Sequence, residues 1–228
     1  MALLQTCLQD DPDHTEALWC LAAARSIVGD REGLAAQAPA MNRPAVPDAR
    51  FHYLGAVCHL AAKDYTRALE LSQRAATDPA LAVESHYLMG WAHLHLDNAG
   101  AARHALQKVA AAEKNPSAVY ARALLGQLGF VSGAYDEAIK WWGAVEPRRR
   151  AGWQLDETLR HTAFLSGLLN FQEGRYEQAA ERFREAGKLG LRERRLGPLL
   201  TLALVKAGQR LLYEQDVGPA VRANLSGV

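Results

Sequence analysis

One segment of this sequence recurs, and its period constrains the fold more than any other feature. Gly133-Ala134-Tyr135-Asp136-Glu137-Ala138-Ile139-Lys140-Trp141-Trp142 returns as Gly174-Arg175-Tyr176-Glu177-Gln178-Ala179-Ala180-Glu181-Arg182-Phe183. Weaker copies run Lys63-Asp64-Tyr65-Thr66-Arg67-Ala68-Leu69 and Asn98-Ala99-Gly100-Ala101-Ala102-Arg103-His104-Ala105-Leu106. Each follows a stretch of helical periodicity with a glycine at a corresponding place: Gly55, Gly90, Gly126 and Gly167. The alanines Ala68, Ala102, Ala138 and Ala179 succeed one another at intervals of 34, 36 and 41 residues. A unit of this length cannot bury its own apolar face, so the chain must stack such units side by side.

The residue types inside the unit have physical reasons. Two antiparallel helices approach closely only where side chains are small, which predicts a crossing of Gly126 with Ala138. A large apolar residue four positions after the alanine, Trp142 or Phe183, lies one turn further along the same face and is expected to fill the gap to the next hairpin. Gly133 and Gly174 predict a left-handed stop, with Tyr135 and Tyr176 anchoring the second helix. Pro79, Pro116 and Pro147 are expected to end or follow second helices.

With these residues in view, the sequence resembles the tetratricopeptide repeat family. Leu125-Gly126, Tyr135, Ala138, Trp142 and Val145 fit the family pattern, as do Gly167, Tyr176, Ala179, Phe183 and Ala186. Phe51, Leu54-Gly55, Tyr65, Ala68, Ala75 and Pro79 fit with a one-residue shift, Gly90, Ala102, Leu106 and Val109 fit loosely, and a degenerate copy covers Thr15 to about Met41. The resemblance implies an all-α fold, a right-handed superhelix of antiparallel helical hairpins over residues 1–213. The hairpins are expected at 15–41, 49–79, 82–116, 118–147 and 158–190, with flanking helices at 2–11 and 196–213 and a loose tail at 214–228. Residues 148–154 read as one irregular linker. Met1 to Asp11 resembles only the second helix of a hairpin, so the sequence is expected to be a fragment of a longer chain or to open on a lone capping helix.

In this family the first helices of successive hairpins line a concave face. By resemblance the groove positions are His52, Ala56 and His59, then Tyr87, Trp91 and His95, then Ala123, Gln127 and Phe130, then Phe164, Leu168 and Phe171. An aromatic, apolar face of this kind suits a partner helix or an extended peptide with hydrophobic anchors. The alternative is that the same aromatics pack between hairpins or beneath the last helix. The lysines and asparagines with which one branch of the family clamps a C-terminal carboxylate are absent: His52, Ala56, Tyr87 and Trp91 stand there. The expected function is a non-catalytic scaffold for a protein or peptide partner, the alternative being a regulatory or accessory portion of a larger enzyme or assembly. An end-to-end oligomer through apolar end faces is a further expectation.

Other chemistries find little support. With 26 basic against 25 acidic residues, no net field draws the chain to nucleic acid or to an anionic membrane. No apolar run approaches the roughly 18–20 residues of a membrane span. Cys7, Cys20 and Cys58 lie among apolar helical residues without a Cys-x-x-Cys spacing, which predicts buried thiols in a reducing, cytoplasmic setting. His52 with His59 and His86 with His93 share helix faces, but no zinc-binding motif joins them, so no metal or cofactor is expected. No glycine-rich phosphate loop or nucleophile elbow is present. Two basic runs remain, Arg148 to Arg150 and Arg192, Arg194, Arg195, read as solvated charge or as a dock for an acidic partner.

Overall fold

The computed structural model describes residues 1–43 and 46–216, with side chains through residue 211. All regular structure among them is helical. The α-helices are α1 (Ala2–Asp10), α2 (Thr15–Val28), α3 (Arg31–Gln37), α4 (Ala49–Ala61), α5 (Tyr65–Ala75), α6 (Ala82–His95), α7 (Ala99–Ala111), α8 (Ser117–Val131), α9 (Tyr135–Gly143), α10 (Pro147–Gly152), α11 (Leu155–Gln172), α12 (Tyr176–Lys188) and α13 (Leu196–Asp216). A one-turn 3-10 helix, Ala38–Met41, follows α3. The fold is thus all-α, made of repeating helical hairpins in the manner of an α-solenoid. Contacts divide the chain into two compact units, Met1–Leu125 and Gly126–Val228, the division falling within α8.

In the first unit, α4 packs on α5, α5 on α6 and α6 on α7. Its first core gathers Leu18, Ala22, Leu34, Met41, Phe51, Leu54 and Cys58. The one polar side chain buried at the α2–α3 contact, Gln37, is satisfied: its amide donates to the Leu18 carbonyl at 2.6 Å and its oxygen accepts from Arg25 at 2.9 Å. Of the three cysteines only Cys58 is buried, and desolvation pushes its thiol up to about 12. Cys7 and Cys20 are half-buried, because the faces of α1 and α2 that carry them are only partly covered.

The hairpin turns solve one backbone problem in two ways. The residue two before each second helix is left-handed at Lys63 (φ 61), Asp97 (φ 54), Gly133 (φ 76) and Gly174 (φ 75). Glycine adopts this conformation freely, whereas other residues lose about 1–2 kcal/mol. Where the turn lacks glycine, the next residue offers a cap: Asp64 accepts from the Arg67 amide and Asn98 from the Ala101 amide, each at 3.2 Å. Where glycine is present, Ala134 and Arg175 provide no side-chain cap. Each of these four turns therefore holds one favourable device and lacks the other, whereas the α2–α3 turn combines both, left-handed Gly29 (φ 73) and Asp30, which accepts from the Gly33 amide at 2.8 Å. Lys63→Gly and Ala134→Asp are each expected to raise stability by about 0.5–1 kcal/mol, read as a higher urea midpoint with unchanged helicity.

The small residues of the repeat hold large ones. A Cβ placed on Gly55 would lie 3.1 Å from Leu71 Cδ1, on Gly90 2.7 Å from Leu106 Cγ, and on Gly167 2.5 Å from Phe183 Cε1; on Gly126 it would strike the Trp142 indole. Leu71, Leu106, Trp142 and Phe183 thus fill the notch over their own hairpin's glycine, and Leu71, Trp142 and Phe183 also share a core with the next helix, Leu88 of α6, Leu159 and Ala163 of α11 and Ala203 of α13 respectively. The predicted crossing of Gly126 with Ala138 shifts by one turn for the same reason. The backbones meet at Gly129, where an added Cβ would lie 2.9 Å from Ala138 N, because the Gly126 notch already holds Trp142.

Residues 148–152 belong to a short helix rather than an irregular linker, and only Trp153 and Gln154 (φ 57) make a turn into α11. Pro147 occupies the first position of α10, where its fixed φ favours helix and its missing N–H is no loss. The amides of Arg149 and Arg150 both reach the Glu146 carbonyl at 3.0 Å, and Arg150 Nη1 donates to the Gly143 carbonyl at 3.1 Å. Pro147 therefore follows the second helix α9, as expected, and also starts the next helix. Residues 214–216 continue α13, and 217–228 of the expected tail lie outside the described residues.

Candidate functional site

In the first unit, Tyr87, Trp91 and His95 succeed one another at four-residue spacing and share one face of α6. Tyr65, at the start of α5, stacks on His95 with ring centroids 4.4 Å apart and planes 5° from parallel. Trp91 meets His95 edge-on at 5.4 Å and 83°, and keeps 39% of its surface exposed. Tyr87 is half-buried, and burial pushes its phenol pKa up, with Tyr120 adding to the rise. The strip thus combines fixed rings with exposed ring area, since Tyr65 and Trp91 hold the imidazole while the indole remains open.

The neighbouring histidines are placed differently. His52 is 6% exposed and His59 5% exposed, with Ala56 fully covered between them. Burial pushes the His52 pKa down, and Arg74 lowers it further. His59 Nδ1 lies 3.1 Å from Asp64 Oδ2, so this histidine braces the carboxylate that caps α5. Neither histidine offers an open surface.

In the second unit, the aromatic candidates are engaged with their own hairpins. Phe130 lies 5.8 Å from Tyr135 and 5.9 Å from Trp142, Phe164 lies 5.7 Å from Phe183, and Phe171 lies 5.3 Å from Tyr176. These rings are half-buried, as are Ala123 in the first unit and Leu168 in the second; Gln127 is exposed. The packing alternative and the open-face reading therefore hold for different residues: the phenylalanines pack, whereas Trp91, His95 and Gln127 face solvent.

The sequence pattern gave no sign of a polar ladder between α9, α11 and α12. Asp136 Oδ1 accepts from Ser166 Oγ at 2.6 Å and from Arg182 Nε at 2.8 Å. Asn170 Nδ2 donates to the Ser166 carbonyl at 2.9 Å and to its Oγ at 3.2 Å, and Arg175 Nε donates to Asn170 Oδ1 at 2.6 Å. Ser166 and Asn170 are buried, and every bond between them is made. With Ser166 donating to a carboxylate already paired with arginine and no histidine bonded to it, the ladder is built for packing rather than for nucleophilic attack.

The two basic runs part company. Arg149 lies 3.8 Å from Glu146 and Arg150 2.9 Å from Asp156, so the first run is paired with acids. Beside it Trp153 is 37% exposed. Arg192, Arg194 and Arg195 are exposed and pair with no carboxylate among the described residues. No group of three or more His, Cys, Asp or Glu among the described residues could hold a metal ion, and no described helix is long and apolar enough to cross a membrane.

Comparison with known proteins bears on the fold. Residues 87–151 match the family model described as Tetratricopeptide repeat. No curated protein matches. Among solved structures the chain is similar to a tetratricopeptide repeat protein from Parabacteroides merdae ATCC 43184, at 18% identity and a TM-score of 0.50, covering 88% of this chain and 90% of that one. It is also similar to YrrB, described as a TPR protein with an unusual peptide-binding site, at 18% identity and a TM-score of 0.51, covering 90% and 97%. MamA (MSR-1) is similar at 19% identity and a TM-score of 0.53, covering 77% and 95%. With the repeat motif, the filled glycine notches and the similar structures in agreement, the chain has the tetratricopeptide repeat fold, and its residues 87–151 match the repeat itself.

Proposed function

We propose that this chain is a non-catalytic scaffold that holds a protein or peptide partner on the exposed aromatic faces of its first helices. The observation that carries this reading is the Tyr87, Trp91, His95 strip with Tyr65 stacked beneath it. Trp and Tyr rings offer large contact area at little entropic loss, which makes them favoured anchors for a bound segment. The peptide-binding site described for YrrB, a protein similar in fold, agrees with the reading. The best-supported positions are those with open surface, Trp91, His95 and Gln127, while His52, His59, Phe130 and Phe171 shape the helices behind them. A reducing, cytoplasmic setting suits the three thiols.

The test is a Tyr87→Ala, Trp91→Ala double variant beside the wild type, in binding to peptides selected on the wild-type chain from a random library. The variant should stay helical and lose at least about tenfold in affinity, as expected for truncating two aromatic anchors. Equal binding by both chains would remove the α6 face from the function.

A further inference from the structure

A second surface, at the α11–α13 contact of the second unit, carries information about the partner's chemistry. Between these helices lies a cleft of about 550 Å³ lined by Phe164 and Leu168 on one side and Pro198, Leu199 and Leu202 on the other. Its size lies in the range of about 300–1,000 Å³ typical of pockets that accept small ligands. Beyond it, α13 leaves Leu204 and Val205 exposed by 42% and 49%, and Leu202 itself by 43%. Of these Leu202 lines the cleft itself, so its open side continues the apolar floor towards solvent.

The rim decides what would sit there. Glu193, Arg194 and Arg195 line the cleft mouth, and Arg192 stands beside them. The three arginines are exposed and have no carboxylate partner among the described residues, in contrast to Arg149 and Arg150. Against the single Glu193, the segment 192–195 carries a local charge of two positive units, although the whole chain carries only one. An apolar floor bordered by exposed guanidinium groups is complementary to large apolar side chains flanked by carboxylates, because arginine binds carboxylates through two parallel hydrogen bonds.

We infer that the α11–α13 cleft docks an acidic peptide segment of a partner protein, its apolar anchors seated on Phe164, Leu168, Leu199 and Leu202 and its carboxylates on Arg194 and Arg195. The inference rests on the protein-binding reading and names the chemistry of one of its sites. The apolar floor supplies area, and the arginines select acidic sequences and speed the encounter, a contribution that salt screens.

The experiment is a random peptide display selection on the full chain, followed by fluorescence anisotropy with the enriched peptides on three variants. Enriched sequences should place Asp or Glu beside Leu, Phe or Ile. Their binding should fall at least about tenfold in Arg194→Glu with Arg195→Glu, and likewise in Leu202→Asp, while Arg194→Lys with Arg195→Lys retains most of it. It should also weaken as salt rises from 50 to 500 mM. Neutral or basic enriched peptides, or acidic ones indifferent to the charge reversal, would overturn the inference. If their binding is lost instead in the Tyr87→Ala, Trp91→Ala variant, the scaffold reading survives and this site fails. If no peptide is enriched, both fail. A mass by light scattering that doubles with concentration and returns to the monomer in Leu202→Asp would make a second copy the occupant. Acidic peptides that bind only a chain ending at Asp216 would make residues 217–228 the occupant; either result overturns the inference.

Discussion

Phe183→Ala is expected to destabilise the chain by about 3–5 kcal/mol, the range for removing a fully buried phenylalanine. The Phe183 side chain is inaccessible to solvent and packs with Ala179, Ala180 and Ala203 and against Phe164, Leu196 and Leu199. Its ring fills the notch that Gly167 leaves in α11, so truncation opens a cavity bounded by α11, α12 and α13, which cannot close without moving one of them. A double-mutant cycle tests the account. In the wild type, Gly167→Ala places a methyl 2.5 Å from Phe183 Cε1 and is expected to lower stability by about 1–3 kcal/mol. In the Phe183→Ala background the obstacle is gone, and the same change should become neutral or stabilising by up to about 1 kcal/mol, because alanine is the better helix former. Urea denaturation followed by circular dichroism reads all four chains. The same Gly167→Ala effect in both backgrounds would show that Phe183 does not fill this notch.

Gly129→Ala is expected to lower stability by about 1–3 kcal/mol even though alanine favours helix over glycine by about 1 kcal/mol. The added Cβ would lie 2.9 Å from Ala138 N and 3.2 Å from both Ala134 O and Ala138 Cα. These are backbone atoms, and unlike a side chain they cannot rotate away; α9 itself would have to withdraw. Gly143→Ala is the control, since Gly143 is also helical but exposed and nothing lies within 4 Å of its added Cβ. That change should raise stability by up to about 1 kcal/mol. A fall at Gly143 or a rise at Gly129 would contradict the close approach of α8 and α9.

The repeat was legible in the sequence because a glycine, an alanine, an aromatic residue and a turn glycine recur at fixed offsets, and each answers a local requirement of a helical hairpin. Gly133 and Gly174 take up the left-handed turn that their type predicts. The aromatic face was legible only as a set of positions. The resemblance puts His52, His59, Tyr87, Trp91, Phe130, Phe164 and Phe171 on first-helix faces, but exposure depends on what else packs there. His59 turns to Asp64, Phe130 to Tyr135 and Trp142, and Phe171 to Tyr176, whereas the far side of Trp91 stays open. The ladder from Asp136 through Ser166 and Asn170 to Arg175 was not legible at all. Its directly bonded members stand as far as 46 residues apart, for Asp136 and Arg182, and polar residues carry no periodic signal of their own.

By itself the sequence determined the class of fold, the hairpin unit and the residues that make its turns, because these follow from local propensity and from spacing along one helix. Tertiary structure alone decided which small residue faces which large one. Gly126 holds Trp142 while Gly129 meets Ala138, a choice that depends on the rotation of two helices about their axes rather than on either sequence alone. Tertiary structure likewise decided which charges remain free. Arg149 and Arg150 find acids after the chain turns into α10 and α11, and Arg192, Arg194 and Arg195 find none among the described residues; a run of arginines reads the same in the sequence whether or not the fold brings it a partner.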